Sequence, residues 1–421
     1  HYATLNLRKK ERELKLTQYW DFNFSEPKVK ASDDEYREEL DRLFKQAVNR
    51  QLVTDVELGC YLSGGMDSGS ITAISVQTYP KLKTFTCGFN MSSASGVELN
   101  FDERVKAEQM SQFLNTDHHE VVINSSDMQN ILPKLARCLE EPRVGQSYPN
   151  YYAAKLASEH VKVVMSGAGG DELFGGYPWR YYRGVANDNF EHYIDKYYEF
   201  WQRLIPNKQL KEVFLPIRKD VEHVWTRDIF SDVFTHHSNN LYSNEDYINH
   251  SLYFEAKTFL HGLLVVEDKL SMAHGLETRV PFLDNDLVDF SMSCPVQLKL
   301  NNLSKAIKIN ENDVGNKKNK YFQKSSDGKQ ILRNVMSQHI PESVTKDVKK
   351  GFSAPDASWF KDDSLAFVRA KLFNNDARIY EYMNKKAVQS LVNEHLDGKV
   401  NRRLLIWSLL NVEEWMEQQL V

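Results

Sequence analysis

The chain has 421 residues, a formal charge of −5 and a pI near 6.3, which argues against a nucleic-acid groove, since such a groove needs a basic surplus to displace counterions. Hydrophobic residues at 41% and charged residues at 26% are ordinary for a globular chain and exclude a fibrous or disordered one. The most apolar runs, such as 161–165, have strand length and are bounded by charge, so no membrane span or membrane partner is expected.

The chain opens on His1 without an apolar leader and reads as trimmed at its front. Leu5 and Leu7, a charged turn at 9–12, then Leu14 and Leu16 alternate in twos, which predicts a hairpin with no core of its own. Residues 21–31, carrying Pro27, read as a linker, and the hairpin over 1–24 reads as the remnant of a missing N-terminal domain. Tyr36, Leu40, Leu43, Phe44, Ala47 and Val48 recur at helical spacing and predict an amphipathic helix over 33–52. Strand-like and helical stretches then alternate. Strands are expected at 56–62, 82–89, 119–123 and 161–165, and helices at 68–77, 101–114, 127–139 and 151–160. Such alternation implies βαβ units and a doubly wound parallel sheet, an α/β fold, spanning 25–192. From 193 to 421 the pattern is aromatic-rich and helical, predicting a second, mostly α-helical domain, with a polar surface loop at 310–329.

Cys60, Cys87, Cys138 and Cys294 lack CxxC spacing and read as reduced packing residues of a cytoplasmic protein, not as a disulfide framework or zinc site. His118 and His119 lack companion ligands at metal spacing.

The sharpest motif is Leu62-Ser63-Gly64-Gly65-Met66-Asp67-Ser68, between a strand and a helix. Two glycines let the backbone turn tightly and approach a ligand, and the following helix points free N–H groups at the loop, which makes an anion site. A plain tight turn would use the same residues. Asp67 would repel phosphates unless a cation such as Mg²⁺ joined them. The loop lacks Gly-Lys-Ser/Thr and is no Walker A loop. A second loop, Ser166-Gly167-Ala168-Gly169-Gly170-Asp171-Glu172-Leu173-Phe174-Gly175-Gly176-Tyr177, repeats the design after another strand, so Asp67 and Asp171 would face one metal–nucleotide complex. Trp179, Tyr181 and Tyr182, just beyond, read as packing aromatics.

Residues 63–68 resemble the pyrophosphate-binding SGGxDS loop of N-type ATP pyrophosphatases. Together with 166–177, the run 268–284 and Lys349-Lys350-Gly351-Phe352, they resemble the synthetase domain of glutamine-dependent asparagine synthetases across nearly the whole chain. The resemblance implies an ATP-dependent carbon–nitrogen ligase. ATP would be cleaved between its α and β phosphates, a carboxylate substrate, aspartate first, would take AMP, and ammonia from glutamine would displace it. Carried over by position, Leu62, Ser63, Gly64, Gly65, Asp67, Ser68, Cys87, Ser166 and Gly167 would hold ATP, Asp67 and Asp171 would hold Mg²⁺, and Lys349, Asp171 and Glu172 would be catalytic. By sequence alone Lys349 and Lys350 would read as a solvated surface pair. Glu277 and Arg279 could close the site or form a structural ion pair, and His274 could cap a helix end or touch substrate.

Two departures stand out. The glutaminase domain that would supply ammonia is absent from this chain. Ala168 stands where asparagine synthetases usually carry Glu, and a methyl group neither hydrogen-bonds an acyl substrate nor carries a proton. Residues 140–146 also differ from the usual aspartate-enzyme run. An amidotransferase for a carboxylated sugar is therefore the alternative, and a tRNA-modifying relative the weaker one; a homo-oligomer is left open.

Overall fold

The computed structural model describes residues 1–8, 13–182, 187, 189–235, 237, 241–301, 327–347 and 353–419. β1 (Tyr2–Leu5) and β2 (Leu14–Thr17) pair antiparallel, Tyr2 opposite Thr17, and form the expected hairpin with its apolar side chains exposed. Residues 21–31 are not a free tether. Phe24 is buried in the main core, Phe22 packs beside it, and Asp21 accepts from Tyr253 at 3.0 Å and from Lys257 at 2.8 Å. Aromatic alternation, outweighing Pro27, docks the segment.

Helix α1 (Asp33–Gln51) starts at a reciprocal capping box between Ser32 and Glu35 and buries the stripe Leu40, Leu43, Phe44, Ala47 and Val48. Five strands follow: β3 (Leu58–Tyr61), β4 (Lys83–Phe89), β5 (Asp117–Ile123), β6 (Val163–Met165) and β7 (Glu277–Arg279). All pair parallel in the order β5-β4-β3-β6-β7. The helices α2 (Met66–Ser75), α3 (Arg104–Leu114), α4 (Ser125–Leu139) and α5 (Tyr148–Ser158) connect the first four. The fold is a doubly wound parallel α/β sheet. The order of progression reverses between β3 and β6, and in open sheets the crevice at such a switch point, outside the carboxyl ends of the strands, is where ligands bind.

Strand β7 was hidden in the run 268–284. Three residues are too few to show a two-residue period, and Glu277 and Arg279 form an ion pair at 2.7 Å along it, with Arg279 also donating to the Gln51 and Val53 carbonyls. Beyond residue 182, β7 is the only strand among the described residues. The helices there include α7 (Phe190–Trp201), α8 (Asn244–Phe254), α9 (His261–Met272), α10 (Asn285–Ser293), α11 (Gln330–Met336), α12 (Lys385–Leu396) and α13 (Arg403–Gln419), with a short α6 (Gly170–Phe174) earlier in the chain. A π-helical turn, Glu255–Leu260, joins α8 to α9, and its wider winding shifts the face that α9 presents.

The apolar cores draw on both halves of the chain. Phe44, Ile71 and Leu173 share one cluster with Tyr193, Leu252 and Phe282; Phe89, Leu132 and Tyr148 share another with Trp359, Trp407 and Leu410. Trp179, Tyr181 and Tyr182 are buried packing residues, as read from their position. Among the described residues no helix is long and apolar enough to cross a membrane.

Candidate active site

Both glycine loops leave carboxyl ends of strands flanking the switch point, the first after β3 and the second after β6. In the first, Leu62 N–H donates to the Phe85 carbonyl, Ser63 N–H to Ser68 Oγ at 3.0 Å, and Gly65 N–H to Ser63 Oγ at 3.1 Å. Gly65 precedes α2 without a side-chain cap, so the first-turn amides of that helix face the loop. A side chain on Gly64 would meet Lys106 Cβ at 2.1 Å, so glycine there admits α3 against the loop.

The second loop is anchored by Ser166, whose N–H donates to the Arg279 carbonyl at 2.8 Å and whose Oγ accepts from Ala168 N–H at 3.3 Å. The two loops interlock. A Cβ on Gly167 would lie 3.1 Å from Asp67 Cβ, and one on Gly170 would lie 2.8 Å from Asp67 Oδ1. Asp67 and Asp171 are brought to one cation: Lys329 Nζ stands 2.5 Å from Asp67 Oδ2 and 2.5 Å from Asp171 Oδ1, with 4% of the lysine side chain exposed.

That lysine ends the stretch read from sequence as a polar surface loop. Residues 310–326 of the stretch lie outside the described residues, but Lys329 is buried. Its N–H donates to the Phe174 carbonyl at 3.2 Å, and a Cβ on neighbouring Gly328 would lie 2.4 Å from the Gly175 carbonyl oxygen. Arg333 on α11 braces the turn, donating to the carbonyls of Gly328 at 2.8 Å and Asp347 at 3.0 Å, and Lys106 pairs with Asp347.

These groups enclose a cavity of about 300 Å³. Leu62, Ser63, Gly64, Gly65, Asp67, Ser68, Cys87, Ser166 and Gly167 all line it, joined by Ala168, Glu267, Lys329 and Arg333. Burial pushes the Cys87 thiol up to about 12, so the residue is a wall, not a nucleophile. The chemistry the cavity can support is that of an anion held between backbone amides and cations, beside the carboxylate pair Asp67 and Asp171 that Lys329 holds.

Residues 39–417 match the asparagine synthase family. The chain belongs to that family. It is 27% identical over 423 residues to "Asparagine synthetase [glutamine-hydrolyzing] 1" of Bacillus subtilis, covering 94% of this chain and 61% of that protein. It is 25% identical over 434 residues to a putative asparagine synthetase of Mycobacterium tuberculosis, covering 95% and 60%. The chain thus spans about three fifths of the length of these relatives, 61% and 60%. Among solved structures, NMN synthetase from Francisella tularensis aligns with 55% of this chain and 96% of its own at 14% identity and a TM-score of 0.25, too loose a match to bear on the fold.

Against the family pattern, Asp171 sits behind the cavity wall at the Lys329 ammonium, and Glu172 turns away. Its carboxylate accepts from Tyr177 OH at 2.8 Å, and burial together with the neighbouring Asp171 charge pushes its proton affinity up. Behind it, Arg180 pairs with Glu255 at 2.7 Å beneath the Tyr177 ring, a buried network that holds the second loop to the helical half. His274 packs on Tyr151, ring centroids 4.4 Å apart, and is not in the cavity lining. Lys349 lies outside the described residues.

Lys329, Arg333 and Glu267 were not singled out from the sequence. Lys329 reaches Asp67 across 262 residues, which no local pattern records. Glu267 did leave a trace: it stands three and four positions before buried Leu270 and Ser271, an acid on the inward face of α9.

Proposed function

We propose that this chain is the synthetase part of an ATP-dependent amidotransferase, adenylating a carboxylate, aspartate first, and passing it to ammonia. The observation that carries the reading is the interlocked pair of glycine loops at the switch point, with Asp67 and Asp171 held by one buried ammonium.

In this reading the β and γ phosphates lie on Ser63, Gly64, Gly65 and Ser68, against the α2 amides. Leu62, Cys87, Ser166 and Gly167 wall the adenosine. The substrate carboxylate attacks the α phosphorus, the bridge to the β phosphate breaks, and pyrophosphate departs along the first loop. Ammonia then attacks the acyl carbon and AMP leaves. Lys329, Arg333 and Lys106 ring the phosphate end with positive charge, and a preorganised ammonium where charge develops contributes several kcal/mol. Lys349 would add to this set.

Magnesium fits the donors present: Asp67 and Asp171 turn carboxylate oxygens toward one cation already, and glycines at 170 and 176 leave those oxygens room, since a Cβ on Gly176 would overlap Asp171 Oδ1 at 1.8 Å. Bound there, the ion would neutralise phosphate charge for the displacement. Ammonia would come from glutamine by way of a glutaminase domain.

A second reading, amidation of a carboxylated sugar, draws on Ala168, whose methyl gives an acyl substrate no hydrogen bond. The test is to incubate the chain with ATP, Mg²⁺, ammonium and a series of carboxylates while following pyrophosphate and amide. Aspartate-dependent pyrophosphate with matching asparagine is expected. Release with a uronic acid alone would favour the second reading, and ADP with phosphate in place of AMP would refute both.

A further inference from the structure

Four carboxylates line the cavity: Asp67, Glu103, Glu267 and Asp347. Three are committed elsewhere. Asp67 is held by Lys329 and Asp347 by Lys106, and Glu103 opens α3, at the positive end of that helix. Glu267 is different. It enters from α9, on the side of the cavity formed by α5 and the end of β6, where Asn150, Ala153 and Ala154 line the wall. It hydrogen-bonds Ser166, the same serine whose Oγ accepts from Ala168 N–H at 3.3 Å. The carboxyl is thereby tied to the second loop within two hydrogen bonds of the methyl side chain at 168.

Amide formation needs a base at this point. When ammonia attacks an acyl phosphate ester, the nitrogen lone pair forms the new C–N bond, the C–O bond to the phosphate breaks, and AMP carries off that electron pair. The nitrogen is left with one proton too many. A group that takes this proton works best when its proton affinity lies near the working pH and no cation already claims its charge.

We propose that Glu267 is the base that accepts the proton from the attacking ammonia, with Ser166 as its positioning residue. The inference rests on the adenylating reading above. Burial raises the Glu267 carboxyl to about 7, partly opposed by the Ser166 hydrogen bond, so both protonation states are populated near neutrality. The proton passes to a carboxylate oxygen of Glu267 and from there to solvent through the cavity mouth. The second loop itself supplies no carboxyl for this proton: position 168 is alanine, Asp171 is ion-paired to Lys329, and Glu172 is bound to Tyr177.

The two half-reactions separate this role from a structural one. Adenylation is read as aspartate-dependent exchange of labelled pyrophosphate into ATP without ammonium, with glucuronate as a parallel substrate, and amidation is read as amide formed after ammonium is added. Glu267→Gln should keep exchange within about twofold of the unmodified chain and lose amide formation by about a hundredfold or more. Glu267→Asp, which keeps the base on a shorter stem, should recover at least tenfold over the glutamine variant, on the same scale. Amide formation at the unmodified rate in Glu267→Gln overturns the proposal. So does a parallel loss of exchange and amide in both variants, the signature of a packing role. Absence of exchange in the unmodified chain with either carboxylate would instead bring down the adenylating reading, and this inference with it.

Discussion

Replacing Lys329 by Met removes the cation that Asp67 and Asp171 share while keeping the length of the side chain. In the native site the ammonium lies 2.5 Å from each carboxylate, and the three side chains are 4%, 17% and 10% exposed, so screening by water is limited. Breaking a buried pair by deleting one partner costs about 3–5 kcal/mol. The site opens onto a cavity that admits water, which places the expectation at the lower end, about 3 kcal/mol. Two carboxylates facing one another without the lysine are also a better divalent-cation site than before. At a hundredfold excess over its dissociation constant, Mg²⁺ would return about 2.7 kcal/mol through mass action. Denaturation of Lys329→Met in EDTA should therefore show a lowered midpoint, and millimolar Mg²⁺ without nucleotide should restore most of it while moving the unmodified chain little. A variant as stable as the parent in EDTA, or one that responds to Mg²⁺ no more than the parent does, would refute the assignment of Lys329 as the resident counter-charge of the acidic pair.

Gly328→Ala places a methyl 2.4 Å from the Gly175 carbonyl oxygen, backbone that cannot swing aside, so a loss of about 1–3 kcal/mol in denaturation and a weaker affinity for pyrophosphate are expected. Asp67→Asn keeps the volume of the side chain and removes its charge; pyrophosphate exchange should vanish while circular dichroism stays close to the parent, and because Lys329 keeps Asp171 as a partner the melting temperature should fall less than in Lys329→Met; full exchange would contradict its proposed role at the metal. His395, 2% exposed, is held near a pKa of about 4 by burial, below its ordinary 6.5, and its Nδ1 accepts from Arg402 N–H at 3.0 Å. The folded state thus resists the proton that the unfolded state takes up, so this contribution is present above pH 6.5 and is lost as pH falls toward 4, by about 3 kcal/mol in all. His395→Asn, which keeps an acceptor for Arg402, should flatten the acid limb of the melting temperature, and an unchanged limb would count against it.

The sheet was legible because its strands and helices carry clear periods: 82–89 and 119–123 were read as strands and appear as Lys83–Phe89 and Asp117–Ile123. The two glycine loops were legible for a different reason, since each combines glycine, hydroxyl and acid within a few residues at a strand end. Other features escaped for identifiable physical causes. β7 pairs with β6 over three residues, Val163 to Met165 against Glu277 to Arg279, and draws its order from the neighbouring strand, not from its own pattern. The strap at 21–31 looked like a tether because Pro27 and charge conceal the two aromatics that dock it. Lys329 was hidden most completely: it adopts a left-handed backbone, φ 59°, at the start of α11, held there by tertiary contacts with the Gly175–Gly176 turn. Sequence position gave its stretch the look of a solvated loop, whereas only the fold brings it to Asp67. Glu267 lay between these extremes, marked by its place on the inward face of α9 but not by any motif.

In the proposed reaction the interlocked loops direct a carboxylate oxygen onto the α phosphorus of ATP. Aspartate labelled with ¹⁸O in its side-chain carboxyl group, turned over with ATP, Mg²⁺ and ammonium, tests it most directly. One labelled oxygen should appear in the phosphate of AMP for each amide formed. AMP free of label, or label found instead in inorganic phosphate beside ADP, would rule out attack by the carboxylate on the α phosphorus.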